Sequence, residues 1–452
     1  MDNNGQDTAA GVSDSSFWEL LKTRNFRLLW GAGALSAIGD QFDLIAFPWL
    51  VLLLTGDPLA VGAIIAVGSV PTVFFMLIGG SIVDRSSPRM ILQVSNVVRV
   101  FLGSVLAALV LTGMLNLWLL YLFALAKGIA DAFYYPAQAA LLPRIVTEKQ
   151  LRHANVITQT TTESSGFVGP MLAGALIAAF SGTNNVLPSL QRVTAAAPAD
   201  TAGVGFAFAV VAGAFLISSL LLAFLHLSPE VLRSAEQNGN SRAAEGKNGG
   251  SIWTSIGEGF RFVRSNAAMF TLFLLIAAIE LFVQGPVIVG IPVLASTRLP
   301  QGALAVGIIS SAYAGGALLG AVLAGALPTP KRRLGHLFVI TYVLSGMLIM
   351  PFGFLTATWL AAALVVAIGV MGGYTNIMFT TWLQARTPQN VMGRVMSLLM
   401  IASIGLSPIS NAVSGALIKL SLGWVFVGAG AMMALLSIAA GLRREIAEMK
   451  MA

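Results

Sequence analysis

The chain has 452 residues, 56% of them hydrophobic and only 10% charged, and its mean hydropathy is +0.83. Soluble domains carry about 25% charged residues, so this composition excludes an ordinary soluble protein and indicates a chain embedded in a lipid bilayer. The net charge of +7 does not indicate a nucleic-acid partner, because the basic residues fall mainly in short loops between apolar segments. The sequence contains no cysteine, which excludes disulfides, thiolate metal sites and cysteine nucleophiles.

Twelve apolar segments are each long enough to cross a membrane as a helix, which takes about 20 residues. We number them span 1 to span 12 in chain order, at about 27–54, 59–83, 90–112, 117–141, 155–180, 204–226, 268–296, 303–327, 334–355, 358–383, 393–419 and 423–442. The sequence therefore predicts an all-α membrane protein with twelve transmembrane helices.

Basic residues are distributed unequally between the two sides of these spans. Of the 26 Lys and Arg residues, 21 lie on the side of the two termini and two, Arg192 and Arg298, lie on the opposite side. Loops rich in Lys and Arg stay in the cytoplasm. We therefore expect a multi-pass protein of the cell membrane with both termini in the cytoplasm. Lys419, at the outer end of span 11, is expected to extend its ammonium group to the membrane surface.

The two halves of the chain repeat. Span 2 opens with Leu59-Ala60-Val61-Gly62, and span 8 opens with Leu304-Ala305-Val306-Gly307 at an offset of 245 residues. Two pseudo-symmetric six-helix halves around a linker are an architecture of secondary transporters, with the substrate near the midplane between the halves. The predicted organisation is a cytoplasmic tail, a bundle, a cytoplasmic linker, a second bundle and a tail, at 1–25, 26–227, 228–266, 267–444 and 445–452.

Within the linker, apolar residues recur at helical spacing in Ile252–Arg264, and this pattern predicts an amphipathic helix. Two placements are open. The helix either lies on the inner leaflet of the membrane or packs against the cytoplasmic ends of the bundle.

A dense group of glycine, proline and charge, Gly79–Arg89, joins spans 2 and 3. Glycines let helices approach closely there, and the charged side chains lie in the headgroup layer. We predict a cytoplasmic hinge in which Asp84 contacts either the positive ends of first-half helices or a base across the interface, such as Arg394, and so latches that side of the protein. The predicted hinge and latch residues are Gly80, Asp84, Arg85, Arg89 and Arg394.

Ionisable residues inside the spans are costly in lipid and are therefore candidates for function. The candidates for proton coupling are the acids Asp40, Asp43, Asp131, Glu163 and Glu280. Only two bases within the spans oppose them, so full ionisation would leave a charge of −3 in a medium of low dielectric constant. Some of these carboxylates should therefore be protonated in one conformation, as proton coupling requires. Asp40 and Asp43, which share one face of span 1, are the leading candidates.

Structural roles are open for the same residues. Lys127 and Asp131 are four residues apart, the spacing of an ion pair that stabilises span 4. Arg99 is expected to pair with Asp131 or Glu163 and to anchor the inner end of span 3. Asp43 equally suits a hydrogen-bonding group of an outer gate.

Two motifs resemble those of the major facilitator superfamily. Gly80-x-x-x-Asp84-Arg85-x-x-x-Arg89 resembles its signature between spans 2 and 3, although Ser86-Ser87-Pro88 replaces the glycine end. Span 5 carries Gly166-x-x-Gly169-Pro170-x-x-x-Gly174, which is similar to the signature of drug:proton antiporters and also suits close helix packing. Leu35–Asp43 in span 1 and Gly128–Pro143 in span 4 resemble the branch of macrolide-efflux and enterobactin-export proteins. The same residues, together with Gly369–Gly373 in span 10, also resemble the lysophospholipid transporters.

In that superfamily, spans 1, 4, 7 and 10 line a central cavity. The resemblance therefore implies that the substrate-cavity residues are Asp40, Asp43, Lys127, Asp131, Glu280, Tyr374 and Asn376. It implies a secondary active transporter that exports amphipathic small molecules, such as drugs, macrolides or siderophores, by proton antiport with alternating access. The expected partners are the substrate, protons and membrane lipids, and we expect a monomer.

Two other functions are open. A lysophospholipid transporter of the same fold would use Lys127 and Arg99 to attract a phosphate group. A membrane-embedded enzyme or a receptor is the alternative of another class, but the sequence contains no HExxH, GxSxG or Walker motif. We therefore expect no enzymatic activity, no cofactor and no metal.

Overall fold

The computed structural model describes residues 19–85, 87–181, 201–226, 252–327 and 334–449. Within these ranges all twelve predicted spans are helical, so the predicted all-α membrane fold is confirmed. Spans 1 to 6, the first half, are Arg24–Thr55, Pro58–Arg85, Pro88–Leu111, Leu117–Ile145, Glu148–Phe180 and Ala202–Ala223. Spans 7 to 12, the second half, are Ala267–Thr297, Ala303–Ala326, Leu334–Phe354, Thr358–Arg386, Gln389–Ile404 continued by Ser407–Leu420, and Leu422–Gly441. A linker helix, Ile252–Ser265, precedes span 7, and a short helix, Arg444–Ala447, follows span 12.

Because the number of spans is even, the start of span 1 and the end of span 12 lie on one face of the bundle, which we call the terminal face. The opposite face, which carries the connection between Thr55 and Pro58, is called the loop face.

Span 7 contains a wide π-helical turn at Glu280–Gln284, where the sequence predicts an uninterrupted helix. Such a turn leaves backbone groups without their usual helical partners. The hydroxyl group of Ser410 on span 11 accepts a hydrogen bond from the N–H of Gly285 (2.8 Å) and donates one to the carbonyl of Leu281 (2.7 Å). The irregular turn is therefore stabilised by a side chain from another span, which periodicity along span 7 does not reveal.

Span 11 is interrupted between Ile404 and Ser407, although the sequence predicts it as one continuous helix. Pro408 stands in the first turn of the second segment. Proline has no N–H to donate to the carbonyl four residues earlier, so the helix cannot run through this turn unbroken.

Glycines bring the two halves into close contact towards the loop face. A Cβ atom on Gly62 of span 2 would lie 2.2 Å from the carbonyl oxygen of Asn411 and 3.2 Å from Cα of Gly415 on span 11. A Cβ atom on Gly307 of span 8 would likewise lie 3.2 Å from Cα of Gly174 on span 5. The sequence repeat around Gly62 and Gly307 thus corresponds to the same packing arrangement made twice, once at each seam between the halves.

One hydrophobic core runs through both halves towards the loop face. It joins Leu50 and Phe208 of the first half to Leu294 and Phe426 of the second. Towards the terminal face each half has a separate core, one that includes Phe26 in the first half and one that includes Trp382 in the second. Among the described residues, the buried core is therefore shared by the two halves at the loop face and divided between them at the terminal face.

The linker helix packs against the second half on the terminal face. A Cβ atom on Gly259 would lie 3.0 Å from the carbonyl oxygen of Arg394 on span 11, and Val263 is buried in the core of the second half. Glu258 also forms an ion pair with Arg394, at 2.5 Å. Of the two placements that the sequence leaves open, the structure therefore has the helix packed on the bundle.

Candidate functional site

Five charged side chains from three spans of the first half form one network. The guanidinium of Arg99 lies 2.5 Å from Asp131 Oδ1 and 3.6 Å from Asp40 Oδ1. The ammonium of Lys127 lies 2.8 Å from Asp131 Oδ2 and 3.1 Å from Asp43 Oδ2. Asp131 is therefore shared by both bases, whereas Asp40 and Asp43 each face one of them.

Helical spacing explains how the network assembles. Asp40 and Asp43 are three residues apart on span 1, and Lys127 and Asp131 are four residues apart on span 4, so each pair points from one side of its helix. Arg99 of span 3, only 2% exposed, lies against both pairs. The ion pair predicted within span 4 is present, as is the pairing of Arg99 with Asp131. The contact of Arg99 with Asp40 is additional.

Aromatic rings surround the guanidinium group of Arg99. Its carbon Cζ lies 4.0 Å from the ring centre of Tyr134 and 5.1 Å from that of Phe215. The hydroxyl group of the next residue, Tyr135, donates a hydrogen bond to Asp40 Oδ2 at 3.2 Å. The negative faces of the Tyr134 and Phe215 rings stabilise the buried guanidinium cation of Arg99. Neither tyrosine was predicted as a site residue, although Tyr135 lies one helical turn after Asp131.

A second set of polar side chains links spans 1, 3 and 6 beside the network. The hydroxyl group of Ser218 is within 2.9 Å of that of Ser36, and it accepts a hydrogen bond from Asn96 Nδ2 at 2.8 Å. All three side chains are buried. Because a buried polar group without a partner is costly, this arrangement favours one position of span 3 relative to spans 1 and 6.

Two predicted acids lie apart from the network. Glu163 is exposed on span 5 and accepts a hydrogen bond from Gln159 Nε2 at 2.7 Å. Glu280 is half-buried at the start of the π-helical turn of span 7. Within the described ranges neither carboxylate forms an ion pair. On span 10, Tyr374 is half-buried and Asn376 is exposed. The structure thus groups four of the predicted cavity residues with Arg99 and leaves the remaining three outside that group.

The predicted latch residues are described only in part. Arg89 donates a hydrogen bond to the carbonyl of Ala223 at 2.9 Å, at the end of span 6 within the same half. Arg394 pairs with Glu258 of the linker helix. The surroundings of Gly80 and the side chains of Asp84 and Arg85 lie outside what the structure describes, so the partners expected for Asp84 stay a prediction.

An ion pair joins the two halves on the loop face. Asp57, between spans 1 and 2, accepts a hydrogen bond from the backbone N–H of Leu59 at 2.9 Å and lies 3.1 Å from Nζ of Lys419 on span 11. These two contacts lower the pKa of the Asp57 carboxyl group from its ordinary value, with the backbone hydrogen bond the larger cause. From the sequence Lys419 was expected only at the membrane surface, because its partner Asp57 lies 362 residues away in the chain.

A cavity of about 530 Å³ lies between spans 1 and 5. Its walls are mainly aliphatic, with a row of hydroxyl groups from Thr160, Thr161, Ser164 and Ser165. Cavities that bind small ligands in proteins measure about 300–1,000 Å³ and combine apolar walls with a few polar groups. This cavity therefore has the size and lining of a small-molecule site. The cluster of Ser and Thr along span 5 is the sequence signal that could have found it.

Twelve spans in two matching halves, with a charged network near the middle of span 1, are the architecture of a membrane transport protein. The sequence profile of the Major Facilitator Superfamily matches residues 29–410, so the chain belongs to that superfamily.

Two curated relatives are exporters by name. Macrolide efflux protein A of Streptococcus pyogenes is 23% identical over 387 residues, which cover 84% of this chain and 85% of the relative. The enterobactin exporter EntS of Citrobacter koseri is 25% identical over 403 residues, which cover 88% and 86%. A solved bacterial homologue of the iron transporter ferroportin, in an inward-facing state, has a TM-score of 0.63 at 19% identity and covers 94% of this chain and 100% of that one. This last likeness concerns the fold alone.

Proposed function

We propose that the protein is a secondary active transporter that exports amphipathic small molecules by proton antiport with alternating access. Membership of the Major Facilitator Superfamily supports transport, and the names of the two efflux relatives support export. The observation that carries the proton-coupled mechanism is the composition of the network in the first half.

The network contains three carboxylates and two bases, so its net charge is −1 when every member is ionised. An uncompensated charge is costly in a medium of low dielectric constant, and binding one proton removes it. Asp40 is the best placed to take that proton. Its distance of 3.6 Å to Arg99 is the longest in the network, and its side chain is 20% exposed against 12% for Asp43 and 14% for Asp131.

Proton uptake at Asp40 weakens its attraction to Arg99 and leaves Asp131 as the carboxylate partner of that base. Spans 1, 3 and 4 are linked through these pairs, so the protonation state of Asp40 biases how the spans of the first half pack. Substrate that binds in the cavity beside span 1 biases the same packing. This shared element is the route by which proton movement and substrate movement are coupled.

Contact between the halves at the loop face and their separation at the terminal face support alternating access. The opposite state would close the terminal face and open the seams at the Gly62 and Gly307 contacts. The excess of Lys and Arg on the terminal side supports a cytoplasmic terminal face, so that the described state opens to the cytoplasm. Substrate would enter there and leave from the loop face.

The cavity of about 530 Å³ between spans 1 and 5 supports an amphipathic cargo, because its wall is aliphatic with a row of hydroxyl groups. The alternative of a lysophospholipid carrier relies on Arg99 and Lys127 to bind a phosphate group. Both bases are already paired with carboxylates, so we favour cargo without a phosphate.

The test is efflux of a cationic amphiphilic dye, such as ethidium, from proteoliposomes across an imposed pH gradient. The wild-type protein should drive efflux that a protonophore collapses, and Asp40→Asn should abolish it without loss of folded protein. Glu445→Gln on the short helix after span 12 is the matched control and should leave efflux intact. Full antiport by Asp40→Asn, or loss in Glu163→Gln alone, would remove Asp40 from the mechanism. Uptake of labelled lysolipid without dye efflux would favour the lipid carrier.

A further inference from the structure

The linker helix, Ile252–Ser265, ends where span 7 begins. Only Asn266 separates the two helices, and its side chain accepts a hydrogen bond from the backbone N–H of Met269 at 3.1 Å. An asparagine with this contact caps the start of a new helix. The last turn of the linker helix therefore lies beside the first residues that enter the lipid, at the depth of the headgroups.

One large apolar side chain of the linker helix, Phe260, is left exposed by the bundle. Gly259 and Val263 face the second half and are buried, whereas Phe260 is 44% exposed. Its ring meets the ring of Phe270 edge to face, with the ring centres 6.2 Å apart. Phe270 belongs to the first turn of span 7. The uncovered side of Phe260 is therefore at the level of the lipid, where an amphipathic helix buries its apolar residues.

Two exposed arginines, Arg261 and Arg264, lie next to Phe260 on the linker helix. Arg264 follows Phe260 by four residues and Arg261 by three residues less, so helical spacing places both beside the exposed ring. Neither arginine forms an ion pair with another described residue. Glu258, the acid of this helix, is already paired with Arg394 of span 11. The two guanidinium groups are therefore without an anionic partner in the part of the chain that the structure describes.

The surroundings of the two arginines decide which anion they fit. A guanidinium group binds a phosphate through two parallel hydrogen bonds, and these arginines lie at the depth where phospholipids carry their phosphates. A free phosphate ion would gain nothing from Phe260, whereas a lipid also brings an acyl chain to that ring. The ammonium group of a zwitterionic lipid would be repelled by the second arginine, so an anionic lipid fits best.

We propose that Phe260, Arg261 and Arg264 form a binding site for an anionic phospholipid, with the phosphate on the arginines and an acyl chain against the phenyl ring. The same helix holds the start of span 11 through Glu258 and Gly259. A lipid bound at the site therefore fixes the linker helix at the membrane and, through that helix, the position of span 11 on the terminal face. The site is separate from the cargo cavity and from the charged network.

The test places a fluorescent bimane label beside the site, which the absence of native cysteine allows. Gly257→Cys carries the label, because a Cβ atom there meets no atom within 4 Å and lies one helical turn from Arg261. The labelled protein is reconstituted in vesicles of equimolar phosphatidylcholine and phosphatidylglycerol, with the acyl chains of either one lipid or the other brominated. Bromine quenches the label on contact. Because one arginine near an anionic surface contributes about a fivefold preference, quenching by brominated phosphatidylglycerol should exceed quenching by brominated phosphatidylcholine about fivefold or more.

Replacing both arginines, Arg261→Gln with Arg264→Gln, should bring the ratio of the two quenching efficiencies to about one. The matched control, Arg24→Gln with Arg27→Gln, removes the same charge from exposed residues at the start of span 1 and should keep the preference. Equal quenching by the two lipids before any arginine is replaced, or no quenching by either, would overturn the proposal. An equal loss of preference in the control would overturn it too, because general surface charge would then select the lipid. The measurement uses neither cargo nor a pH gradient, so its outcome is independent of the proposed antiport.

Discussion

Replacing Gly307 by alanine places a methyl group at a seam where the two halves of the protein touch. The new Cβ atom would lie 2.3 Å from the carbonyl oxygen of Pro170 on span 5, about 1 Å short of ordinary van der Waals contact. The obstructing atom is backbone, so it cannot move aside by a change of rotamer. The seam must widen for the methyl group to fit.

The magnitude follows from the cost of overpacking, which is about 1–3 kcal/mol for an extra methyl or methylene group in a close-packed interface. Alanine also gains about 1 kcal/mol over glycine in helix propensity. In the proposed alternating-access mechanism span 8 is helical in both states, so this gain cancels between them. The expected net effect is a shift of about 5- to 150-fold in population away from the state that is closed at the loop face.

The absence of native cysteine makes this shift measurable by spin labelling. Trp118 at the start of span 4 and Trp359 at the start of span 10 lie on the loop face, one in each half, and are 81% and 73% exposed. Cysteines introduced at these two positions carry the labels, and pulsed dipolar spectroscopy measures the distance between them. Gly307→Ala should increase the fraction of long distances.

Gly325→Ala is the matched control on the same span. A Cβ atom on Gly325 meets no atom within 4 Å, so this change should leave the distance distribution as in the wild-type protein. An unchanged distribution for Gly307→Ala would refute the assignment of this contact as part of the closed loop face. Equal shifts for both variants would show that helix propensity, and not the seam, controls the equilibrium.

Three further predictions concern other contacts. Asp131→Asn should reduce the free energy of unfolding by about 3–5 kcal/mol, measured by thermal unfolding in detergent, because it removes the carboxylate shared by the buried Arg99 and the half-buried Lys127. A loss below about 1 kcal/mol would contradict the central place of Asp131. The ion pair with Lys419 is one of the causes that lower the pKa of Asp57, so the contribution of that pair to closing the loop face is complete above the ordinary pKa of 3.8 and is lost as the pH falls through the lowered pKa. The distance between the two spin labels should therefore lengthen in acid in the wild-type protein. In a Lys419→Met variant this distance should already be longer at pH 7. Equal changes of the distance with pH in the two proteins would argue against the ion pair. Gly259→Leu should release the linker helix from span 11 and speed its cleavage by protease, because a side chain at this position meets the backbone of span 11. Gly257→Leu is the control and should not speed cleavage, because open space surrounds Gly257. Equal cleavage of both variants would mean that the helix is not held at this contact.

The charged network was predictable in its members and in two of its four ion pairs, Lys127–Asp131 and Arg99–Asp131, but not in the two pairs that span 1 makes. Periodicity identifies Asp40 with Asp43, and Lys127 with Asp131, as pairs on single helical faces, because spacing along one helix determines which side chains share a face. The distance between spans 1, 3 and 4 depends on how buried side chains pack, and no local pattern encodes it. The sequence therefore leaves Arg99 with two candidate partners, and the structure pairs it with Asp131 and Asp40.

The irregular spans 7 and 11 show the same difference between what the sequence predicts and what contacts between spans determine. Glycine and proline in span 11 are visible in the sequence, yet hydropathy alone predicts a continuous helix there, because it measures transfer into lipid and not hydrogen bonding. The π-helical turn of span 7 depends on the hydroxyl group of Ser410, which belongs to a different span. The cavity between spans 1 and 5 is likewise a gap between elements and has no counterpart in the properties of either helix alone.

The sequence by itself determined the twelve spans, their division into two halves and the charged residues that enter the membrane. Each of these depends on the free energy of placing a residue in lipid, which is a property of the local chain. Only the tertiary structure decided which charges meet, which face of the protein is closed and where the linker helix packs. Those outcomes depend on distances between residues far apart in the chain, such as Asp57 and Lys419, and such distances arise only when the helices pack together.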